Sequence, residues 1–296
     1  MESQDLKNAV SGILVVDKPV GLTSHDVVEI IRKGTNIRRA GHTGTLDPRA
    51  SGVLVVLVGP AVRLSEFVSA SDKRYQAIIR LGGTTDTYDA DGRFTGQSNT
   101  PISVTEAQFN EVLQHYVGEI EQTPPAYSAV KVQGRKAYEL ARQGEEVELA
   151  PRKINVYHLE VLEWAPPEVV IDVHCSSGTY VRSLANDLGS ELGCGAYLVG
   201  LRRTTSGRFS LREATPLRKL QDTVIVLCAD HSTPCTIKDH SADPVPVVIW
   251  GEGVRIDGVV RFDETTCAQG GLNRIPGSSL LPIALDLINR SRKYGA

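Results

Sequence analysis

Residues 41–58 read GHTGTLDPRASGVLVVLV, a glycine-rich polar loop that runs directly into an apolar segment. Two glycines and a proline in its first half predict irregular backbone that turns sharply. Residues 52–58 are rich in leucine and β-branched side chains, which predicts that they lie buried beneath the loop. Asp47 then stands on a stiff turn at the edge of a packed core, where a carboxylate can act as a nucleophile or a general base. Because an aspartate before a proline also commonly caps its own turn, this stretch alone leaves both roles open.

The composition is that of a soluble globular protein, with 41% hydrophobic and 23% charged residues in a chain of 296. This length suits one large domain with a small second one, or two ordinary domains. Lysine and arginine total 32 against 35 acidic residues, a net charge of −3, so an RNA partner requires positive charge gathered on one face. Five cysteines without framework spacing are typical of a reducing compartment. A polar N-terminus, and no apolar run near the ~20 residues that cross a bilayer, predict a cytoplasmic protein outside the membrane.

Periodicity along the chain predicts the elements around this loop. The predicted elements are strands at 12–16, 73–81 and 169–175, helices after Thr23 or Ser24, over 105–116 and after Arg182, and turns or loops at 17–21 and 82–86. Two residue pairs offer a capping box for the second helix, Ser103 with Glu106 or Thr105 with Gln108. No convincing internal repeat is present.

Six strings resemble, in the family's own order, the motifs of the TruB-type tRNA pseudouridine synthases. They are DKPVGLTSHDVV at 17–28, GHTGTLDPRASGVLVV at 41–56, KRYQAIIRLGGTTDTYDADG at 73–92, PPAYSAVKVQGRKAYELAR at 124–142, CSSGTYVRSLANDLG at 175–189 and LVGLRRTTSGRF at 198–209. The resemblance spans residues 12–209, and a match of this length in fixed order is far more specific than a lone short motif.

The resemblance implies a fold and a domain organisation. The fold is the α+β pseudouridine synthase fold, a mixed and largely antiparallel sheet flanked by helices, with the active-site cleft across the sheet and a small C-terminal module. The expected domains are a catalytic domain at 10–215, with an RNA-binding insertion at about 122–153, and a divergent C-terminal region of uncertain fold at 216–296.

The resemblance also implies a reaction and the residues that perform it. The expected enzyme isomerises uridine 55 in the T loop of tRNA to pseudouridine by aspartate-dependent cleavage of the glycosidic bond and reattachment through C5. Asp47 is the expected catalytic residue. The expected substrate-binding residues are His42 at the substrate loop, Tyr75 stacked on the target base, Tyr180 in the pocket, Arg182 paired with Asp47, and Leu201 lining the uracil pocket.

Elementary chemistry agrees with these roles. A base taken out of its stack needs an aromatic platform, which is worth about 1–3 kcal/mol per base and suits Tyr75. Arginine pairs with a carboxylate better than lysine does, so Arg182 would hold Asp47 ionised and oriented. A strand tyrosine is otherwise more often a core residue, and an Arg–Asp pair is often only an ordinary ion pair.

Basic residues interleaved with tyrosines predict an RNA contact surface in the insertion. The expected RNA-binding residues are Lys131, Arg135, Lys136 and Arg142, with Arg202 in the last motif. A charged helix face is also the commonest kind of solvated surface. Lys18 is either a solvated turn residue or one that approaches the active site or the RNA. Binding to RNA phosphates should weaken steeply with salt.

The expected partner is tRNA, without a required protein partner and as a monomer. No cofactor or metal is expected, because the isomerisation involves no redox change or external group. One alternative is a non-catalytic RNA-binding or RNA-folding protein on the same scaffold. The other is an aspartate-dependent hydrolase, which lacks a GK[ST] motif and a second acidic cluster for Mg²⁺.

The tail beyond about residue 215 has no recognisable pattern of the family's C-terminal module. It has strand-like runs within 244–262 and a predicted helix at 280–288. Its Cys and His residues fit no standard zinc spacing, namely Cys228, His231, Cys235 and His240. The tail is either a divergent module or a sequence from a shifted reading frame.

Overall fold

The computed structural model describes residues 11–35, 37–97, 103–128, 130–132, 134–145, 147, 149–219, 225–228 and 247–250. Its helices are α1 (Ser24–Thr35), α2 (Ser65–Ser69), α3 (Glu106–His115), α4 (Ala137–Arg142) and α5 (Val181–Glu191), and 3₁₀ turns cover Gly59–Leu64 and Leu217–Lys219. Its strands are β1 (Gly12–Lys18), β2 (Ala40–Thr43), β3 (Ala50–Val58), β4 (Lys73–Leu81), β5 (Gly83–Thr85), β6 (Phe94–Gln97), β7 (Gly118–Gln122), β8 (Lys131–Val132), β9 (Arg135–Lys136), β10 (Arg152–Ala165), β11 (Glu168–Cys175), β12 (Ala196–Ser206), β13 (Phe209–Ser210), β14 (Thr215–Pro216), β15 (Ile225–Cys228) and β16 (Val247–Trp250).

Within the described residues, ten strands form one mixed sheet. Its main path is β14-β1-β3-β12-β4-β11-β10-β7, with β2 beside β3 and β13 beside β12. The pairs β1–β14 and β3–β12 are parallel, and the other pairs in this sheet are antiparallel. Two-stranded ribbons form from β5–β6, β8–β9 and β15–β16. The predicted α+β class with a mixed, largely antiparallel sheet is therefore confirmed.

Helices α1, α3 and α5 pack against one face of this sheet and form the larger core. Their apolar residues recur at helical spacing, as in Val27, Val28 and Ile31 of α1 and Leu184, Ala185 and Leu188 of α5. On the opposite face, alternate residues of β3 pack against Phe209 and Leu211. Both faces of β3 are covered, which explains why its sequence is apolar almost throughout.

Capping boxes begin two of these helices. The Thr23 hydroxyl accepts from the Asp26 amide at 3.0 Å, and the Asp26 carboxylate accepts from the Thr23 amide at 2.8 Å. Thr105 and Gln108 make the same exchange at α3, so this pair forms the cap. Thr23 rather than Ser24 caps α1, which leaves the Ser24 hydroxyl for another partner.

The loop that carries Asp47 leaves the sheet at a fork. The same edge of β3 pairs with β12 over residues 50–52 and with β2 over residues 55–58. Residues 44–49, which connect β2 to β3, therefore emerge between β2 and β12. Arg203 fills this gap, since its Nε donates to the Val53 carbonyl at 2.7 Å and its Nη2 donates to the Gly44 carbonyl at 2.9 Å. The guanidinium thus satisfies backbone oxygens at the point where the two strands diverge.

The predicted elements differ from the structure at a few positions. Strand β4 has the predicted bounds. The turn expected from residue 17 was wrong for its first two residues, because β1 stays paired with β3 as far as Lys18. The loop expected at 82–86 contains β5, which pairs with β6. The helix predicted at 280–288 lies outside the described residues.

Gly52→Ala is expected to destabilise the fold strongly. Gly52 has a φ of +101°, and a Cβ there would lie 2.8 Å from the Arg203 amide nitrogen and closer still to its carbonyl oxygen. Strained backbone and overpacking each cost roughly 1–3 kcal/mol, so the free energy of unfolding in urea should fall by about 3 kcal/mol or more. Gly34→Ala is the control, because Gly34 lies in α1 with open space around it, and alanine there changes stability by at most about 1 kcal/mol. Equal effects of the two substitutions would contradict the close approach of β3 and β12.

Candidate active site

One rung of the sheet forms a floor beneath the Asp47 loop. The strand registers align Lys18 of β1, Gly52 of β3, Arg203 of β12 and Tyr75 of β4 side by side. Gly52 allows β3 and β12 to approach closely at this rung. Lys18 and Arg203 are fully buried, and Tyr75 is buried next to Arg203 in the strand register. Three polar side chains are thus packed directly under the loop.

The backbone on both sides of Asp47 is held by side chains from elsewhere. The Ser24 hydroxyl donates to the Leu46 carbonyl at 3.0 Å and accepts from the Leu46 amide at 2.8 Å. The Lys18 ammonium donates to the Pro48 carbonyl at 3.4 Å, which the Gly21 amide also reaches at 2.8 Å. The residues before and after Asp47 are therefore fixed, and the carboxylate has a defined direction.

Arg182, in the first turn of α5, contacts Asp47. Its Nε lies 3.0 Å from Asp47 Oδ2, and its Nη1 lies 3.5 Å from Asp89 Oδ2. Nη1 also donates to the Thr87 carbonyl at 3.2 Å, and Nη2 donates to the Tyr127 carbonyl at 3.1 Å. The buried guanidinium is thus oriented by two carboxylates and two carbonyl oxygens, which only the planar fork of an arginine can serve together.

The surroundings of Asp47 change its acidity. Burial raises the pKa of Asp47 above its ordinary value, the Arg182 guanidinium opposes this, and the Asp89 carboxylate adds to it. Arg182 therefore offsets part of the effect of burial on the pKa of Asp47 and does not abolish it. The Asp47 side chain is still 44% accessible from the cleft. A carboxylate with a raised pKa that a substrate can reach suits a general base or a nucleophile.

Lys18 and Arg203 place positive charge inside the protein below the loop. Burial lowers the pKa of Lys18 to about 8, while the Asp47 carboxylate opposes that change and Arg203 adds to it. Of the two interpretations of Lys18, the solvated turn residue is wrong, because its ammonium is buried beside the Asp47 loop. Burial together with Arg203 also lowers the pKa of His42, so its imidazole is neutral near pH 7.

An open cleft lies between the Asp47 loop and β12. Of the predicted site residues, the structure brings Asp47, Arg182 and Leu201 together in this cleft. The other residues that line it are Arg49, Ala50, Asp89, Leu198, Val199 and Gly200.

Three further predicted residues lie close to these elements. Tyr75 belongs to the floor, and burial raises the pKa of its phenol. His42 is in β2, and its Nδ1 is buried with no hydrogen-bond partner within the described part of the chain. Tyr180 is the N-cap residue of α5. Their contacts with a substrate base stay predictions.

Two of the predicted RNA-binding side chains are described, those of Arg135 and Arg202, and neither lines this cleft. Arg202 pairs with Gln76 in the sheet register and lies on the opposite face from Leu201 and Arg203, where its guanidinium is 2.9 Å from Asp17 Oδ2. Arg135 is exposed on the β8–β9 ribbon and forms an ion pair with Glu145 at 3.3 Å. The remaining predicted side chains lie outside the described part of the chain, namely those of Lys131, Lys136 and Arg142.

Two polar residues of the site were not among the predicted site residues. Asp89 lies within the string at 73–92, and its Oδ1 accepts from the Thr87 hydroxyl at 2.6 Å and from the Asp91 amide at 3.0 Å. Arg203 follows Arg202 directly in the sequence. Because alternate residues of a strand face opposite sides of the sheet, Arg203 is buried while Arg202 is partly exposed. That alternation was the available signal, but its phase depends on the register of β12.

Metal and membrane features are absent from the described part of the chain. No group of three or more His, Cys, Asp or Glu side chains there could hold a metal ion, and no helix there is long and apolar enough to cross a membrane. The Cys and His cluster weighed as a zinc site lies outside the described side chains, since it consists of Cys228, His231, Cys235 and His240.

Solved structures share this architecture. One chain of a crystal structure titled as a Cbf5-Nop10-Gar1 complex matches with a TM-score of 0.56 and 34% identity, over 74% of this chain and 55% of that chain. A chain of an H/ACA RNP structure bound to a substrate RNA containing 2′-deoxyuridine matches with a TM-score of 0.53 and 32% identity, over 73% of this chain and 53% of that one. This chain thus spans little more than half the length of those two chains. The mixed sheet with its cleft is the pseudouridine synthase fold.

The family follows from the sequence. Residues 32–181 match the model of the TruB family pseudouridylate synthase N-terminal domain, and residues 182–235 match that of the tRNA pseudouridylate synthase B C-terminal domain. The chain belongs to the TruB family of pseudouridylate synthases. Residues 214–287 also match the model of a metalloenzyme superfamily, and this match overlaps the preceding one at residues 214–235.

Curated relatives agree with this assignment. The tRNA pseudouridine synthase B of Alkaliphilus oremlandii is 46% identical over 212 residues, which are 72% of this chain and 70% of that protein. The protein of the same name from Thiobacillus denitrificans is 46% identical over 217 residues, 73% of this chain and 72% of that protein.

Proposed function

We propose that this protein isomerises a uridine of tRNA to pseudouridine, at position 55 in the T loop, with Asp47 as the catalytic residue. The observation that carries the proposal is the ion pair between Asp47 and Arg182 in an open cleft. The reaction is assigned to this pair because curated relatives in the same family are named tRNA pseudouridine synthase B. The family membership also removes the reason for considering an aspartate-dependent hydrolase.

The reaction is an internal exchange of bonds. The bond between the sugar carbon C1′ and the uracil nitrogen N1 breaks with the help of Asp47, which either attacks the sugar carbon or abstracts a sugar proton. The uracil turns in the pocket and forms a bond from its C5 to C1′. The hydrogen on C5 leaves as a proton, and N1 gains a proton. Atoms and electrons balance without a redox partner or an external group, so the proposal includes no cofactor.

The other site residues have roles that their positions support. The target nucleotide leaves its stack to reach Asp47, and aromatic surfaces compensate for the lost stacking. Tyr75 and Tyr180 are the proposed aromatic surfaces, and Leu201 lines the cleft beside Asp47. His42 is proposed to contact the substrate loop, and its neutral imidazole can donate or accept a hydrogen bond.

The insertion at about 122–153 is the proposed site of contact with the tRNA phosphates. The net charge of the chain is −3, so binding relies on local clusters of basic residues. The exposed Arg135 on the β8–β9 ribbon belongs to such a cluster, with Lys131, Lys136 and Arg142. Arg202 is the weakest member of the predicted set, because it is paired with Asp17 on the opposite face of the sheet.

Arg135→Gln is expected to reduce the salt dependence of tRNA binding. Each lost phosphate contact lowers the slope of log K against log salt by about 0.7–0.9. The matched control is Arg80→Gln, because Arg80 is 46% exposed against 47% for Arg135 and pairs with Glu168 at 3.2 Å, close to the 3.3 Å of the Arg135 pair. Arg80 lies on the opposite face of β4 from Tyr75. Filter binding between about 50 and 200 mM salt measures both slopes, because phosphate contacts make the affinity fall steeply over this range. The same slope for both variants would remove Arg135 from the RNA surface.

Tritium release tests the proposed reaction. A tRNA transcript with tritium at uridine C5 loses the label only where a new C5 bond forms. We expect the purified protein alone to release label from the T-loop uridine, and to release none from a transcript that has cytidine at position 55. Release by the purified protein without a second protein would also support an enzyme that needs no protein partner. Sedimentation would then test the expected monomer. A folded protein that binds tRNA without release would favour the RNA-binding alternative.

We also propose a domain boundary near residue 215 and a cytoplasmic location, where tRNA is available. Within the described residues, β14 at Thr215–Pro216 is the last strand of the ten-strand sheet, and the match to the metalloenzyme superfamily begins at residue 214, while the match to the C-terminal domain of the family runs across this point from 182 to 235. Limited proteolysis should therefore cut after this strand and leave a fragment that keeps the unfolding transition. Resistance of this region, with cleavage inside the sheet, would contradict the boundary.

A further inference from the structure

We infer that Gln122 is a positioning residue that holds Arg182 in register with Asp47 and connects this pair to the proposed RNA-binding insertion. The inference rests on the proposed function, since it concerns how the same site is kept in its active arrangement.

Gln122 braces the start of α5 from a neighbouring strand. It is the last residue of β7 and is only 3% exposed. Its side-chain amide donates from Nε2 to the Tyr180 carbonyl at 3.0 Å and accepts at Oε1 from the Tyr180 amide at 2.8 Å. Tyr180 is the N-cap residue of α5, and its own side chain makes no capping hydrogen bond. Both backbone groups of the cap are thus held by one buried side chain from outside the helix.

Two more hydrogen bonds join the same segments. The Ser183 hydroxyl donates to the Thr123 carbonyl at 2.8 Å, and the Arg182 Nη2 donates to the Tyr127 carbonyl at 3.1 Å. Residues 122–127 are therefore fastened to residues 180–183 at three points. Between these points lies Arg182, whose Nε is 3.0 Å from Asp47 Oδ2.

The geometry explains why this brace matters for Arg182. An ion pair at 3.0 Å depends on the position of the backbone from which the long side chain extends. The Tyr180 carbonyl accepts from both Gln122 and the Leu184 amide, so the brace acts on the first turn of α5, which contains Arg182. Loss of the brace lets this turn shift relative to the Asp47 loop. A displacement of about 1 Å in a catalytic site can cost about 100-fold in rate.

The braced segment also continues into the insertion. The Ser128 carbonyl accepts from the Tyr138 amide at 3.1 Å, and the Val130 carbonyl accepts from the Ala137 amide at 2.8 Å, which ties residues 128 and 130 to α4. The segment that supplies carbonyl groups to Arg182 and Ser183 is therefore the stem of the insertion.

Two substitutions of Gln122 test the inference. Gln122→Met keeps the length without hydrogen bonds, and Gln122→Glu keeps the size and an acceptor but has no N–H for the Tyr180 carbonyl. We expect kcat for tritium release to fall by about 10- to 100-fold in both variants. KM and the Kd for tRNA should change by less than about twofold, because the buried amide does not face the RNA.

A double-mutant cycle separates positioning from general destabilisation. If Gln122 acts through Arg182, Gln122→Met should cost less than about twofold in kcat when Arg182→Lys is already present. Thr105→Ala is the matched control, because it removes the capping box at the N-terminus of α3. It should lower the thermal midpoint while kcat stays within about twofold of the wild type.

Unchanged kcat in folded Gln122 variants would overturn the inference, as would an equal loss in the wild-type and Arg182→Lys backgrounds. If Gln122→Met does not fold, the near-isosteric Gln122→Glu gives the same readings. A wild type without tritium release would refute the proposed function itself. If the wild type is active and the Gln122 variants are equally active, only the inference about Gln122 is refuted.

Discussion

We expect Asp47→Asn to lose pseudouridine formation by on the order of 10⁴-fold or more while it still binds tRNA. The amide is almost the same size as the carboxylate, so the contacts of the neighbouring Leu46 and Pro48 backbone should remain. It has neither the charge nor the basicity that attack on the sugar or proton abstraction requires. Tritium release under single-turnover conditions measures the loss, and filter binding measures the affinity for tRNA.

Asp17→Asn is the matched control for this experiment. Asp17 also forms an ion pair with an arginine, at 2.9 Å from Arg202, but it lies on the opposite face of the sheet. We expect its rate to stay within about threefold of the wild type, since this half-buried ion pair lies on the face of the sheet away from the cleft. A rate for Asp47→Asn that resembles that of the control would exclude Asp47 from the chemistry.

Arg182→Lys should reduce kcat by about 100- to 1000-fold, the usual loss when one preorganised charged donor is removed from an active site. Arg182 is 8% exposed and serves Asp47, Asp89 and the Thr87 and Tyr127 carbonyls from separate nitrogens. One ammonium cannot reach all four acceptors, so lysine preserves the charge and loses the geometry. Single-turnover tritium release at saturating protein isolates this effect from tRNA binding.

Arg182→Met distinguishes the charge from the geometry. The guanidinium lowers the pKa of Asp47 against the effect of burial, so its removal raises that pKa further. Because the ionised carboxylate is the reactive form, activity falls as the pH decreases through this pKa, and the acid limb should move to higher pH in Arg182→Met. Arg182→Lys keeps the charge, so its acid limb should stay near that of the wild type. An unmoved limb in both variants would show that Asp47 does not control the acid side of the profile.

Arg74→Lys is the control for the arginine substitutions. Arg74 Nε donates to both oxygens of Asp172 at 3.0 and 2.8 Å, on the face of β4 opposite to Tyr75. We expect a change in kcat of less than about threefold, because this pair lies outside the cleft. A large loss in Arg74→Lys would mean that arginine substitutions in this sheet act through stability.

The six motifs in the sequence were sufficient to predict the fold class and the pairing of Arg182 with Asp47. These residues lie in motifs that keep their order and spacing, so the resemblance transfers directly to positions. The buried strand at 52–58 followed from composition alone, because a run of β-branched residues between turns rarely stays exposed. Family membership then followed with the comparisons, in agreement with the motifs.

Other features of the site depended on how distant strands align. Lys18 reads as a turn residue next to a proline, yet the register of β1 with β3 carries it into the interior. Arg202 and Arg203 are adjacent and chemically identical, and only the register of β12 decides which one is buried at the fork. Gln122 precedes two prolines and gives no sign that its amide reaches Tyr180.

By itself, the sequence determined the family, the fold class and the two residues that form the central ion pair, because local motifs are read within one continuous stretch of chain. The tertiary structure alone decided which polar side chains surround that pair. Lys18, Arg203 and Tyr75 come from three strands, and they meet on one rung only because hydrogen-bond registers align those strands. A shift of one residue in any of these registers would turn a side chain to the other face of the sheet. Such alignment results from the packing of the whole core and is not encoded in any single motif.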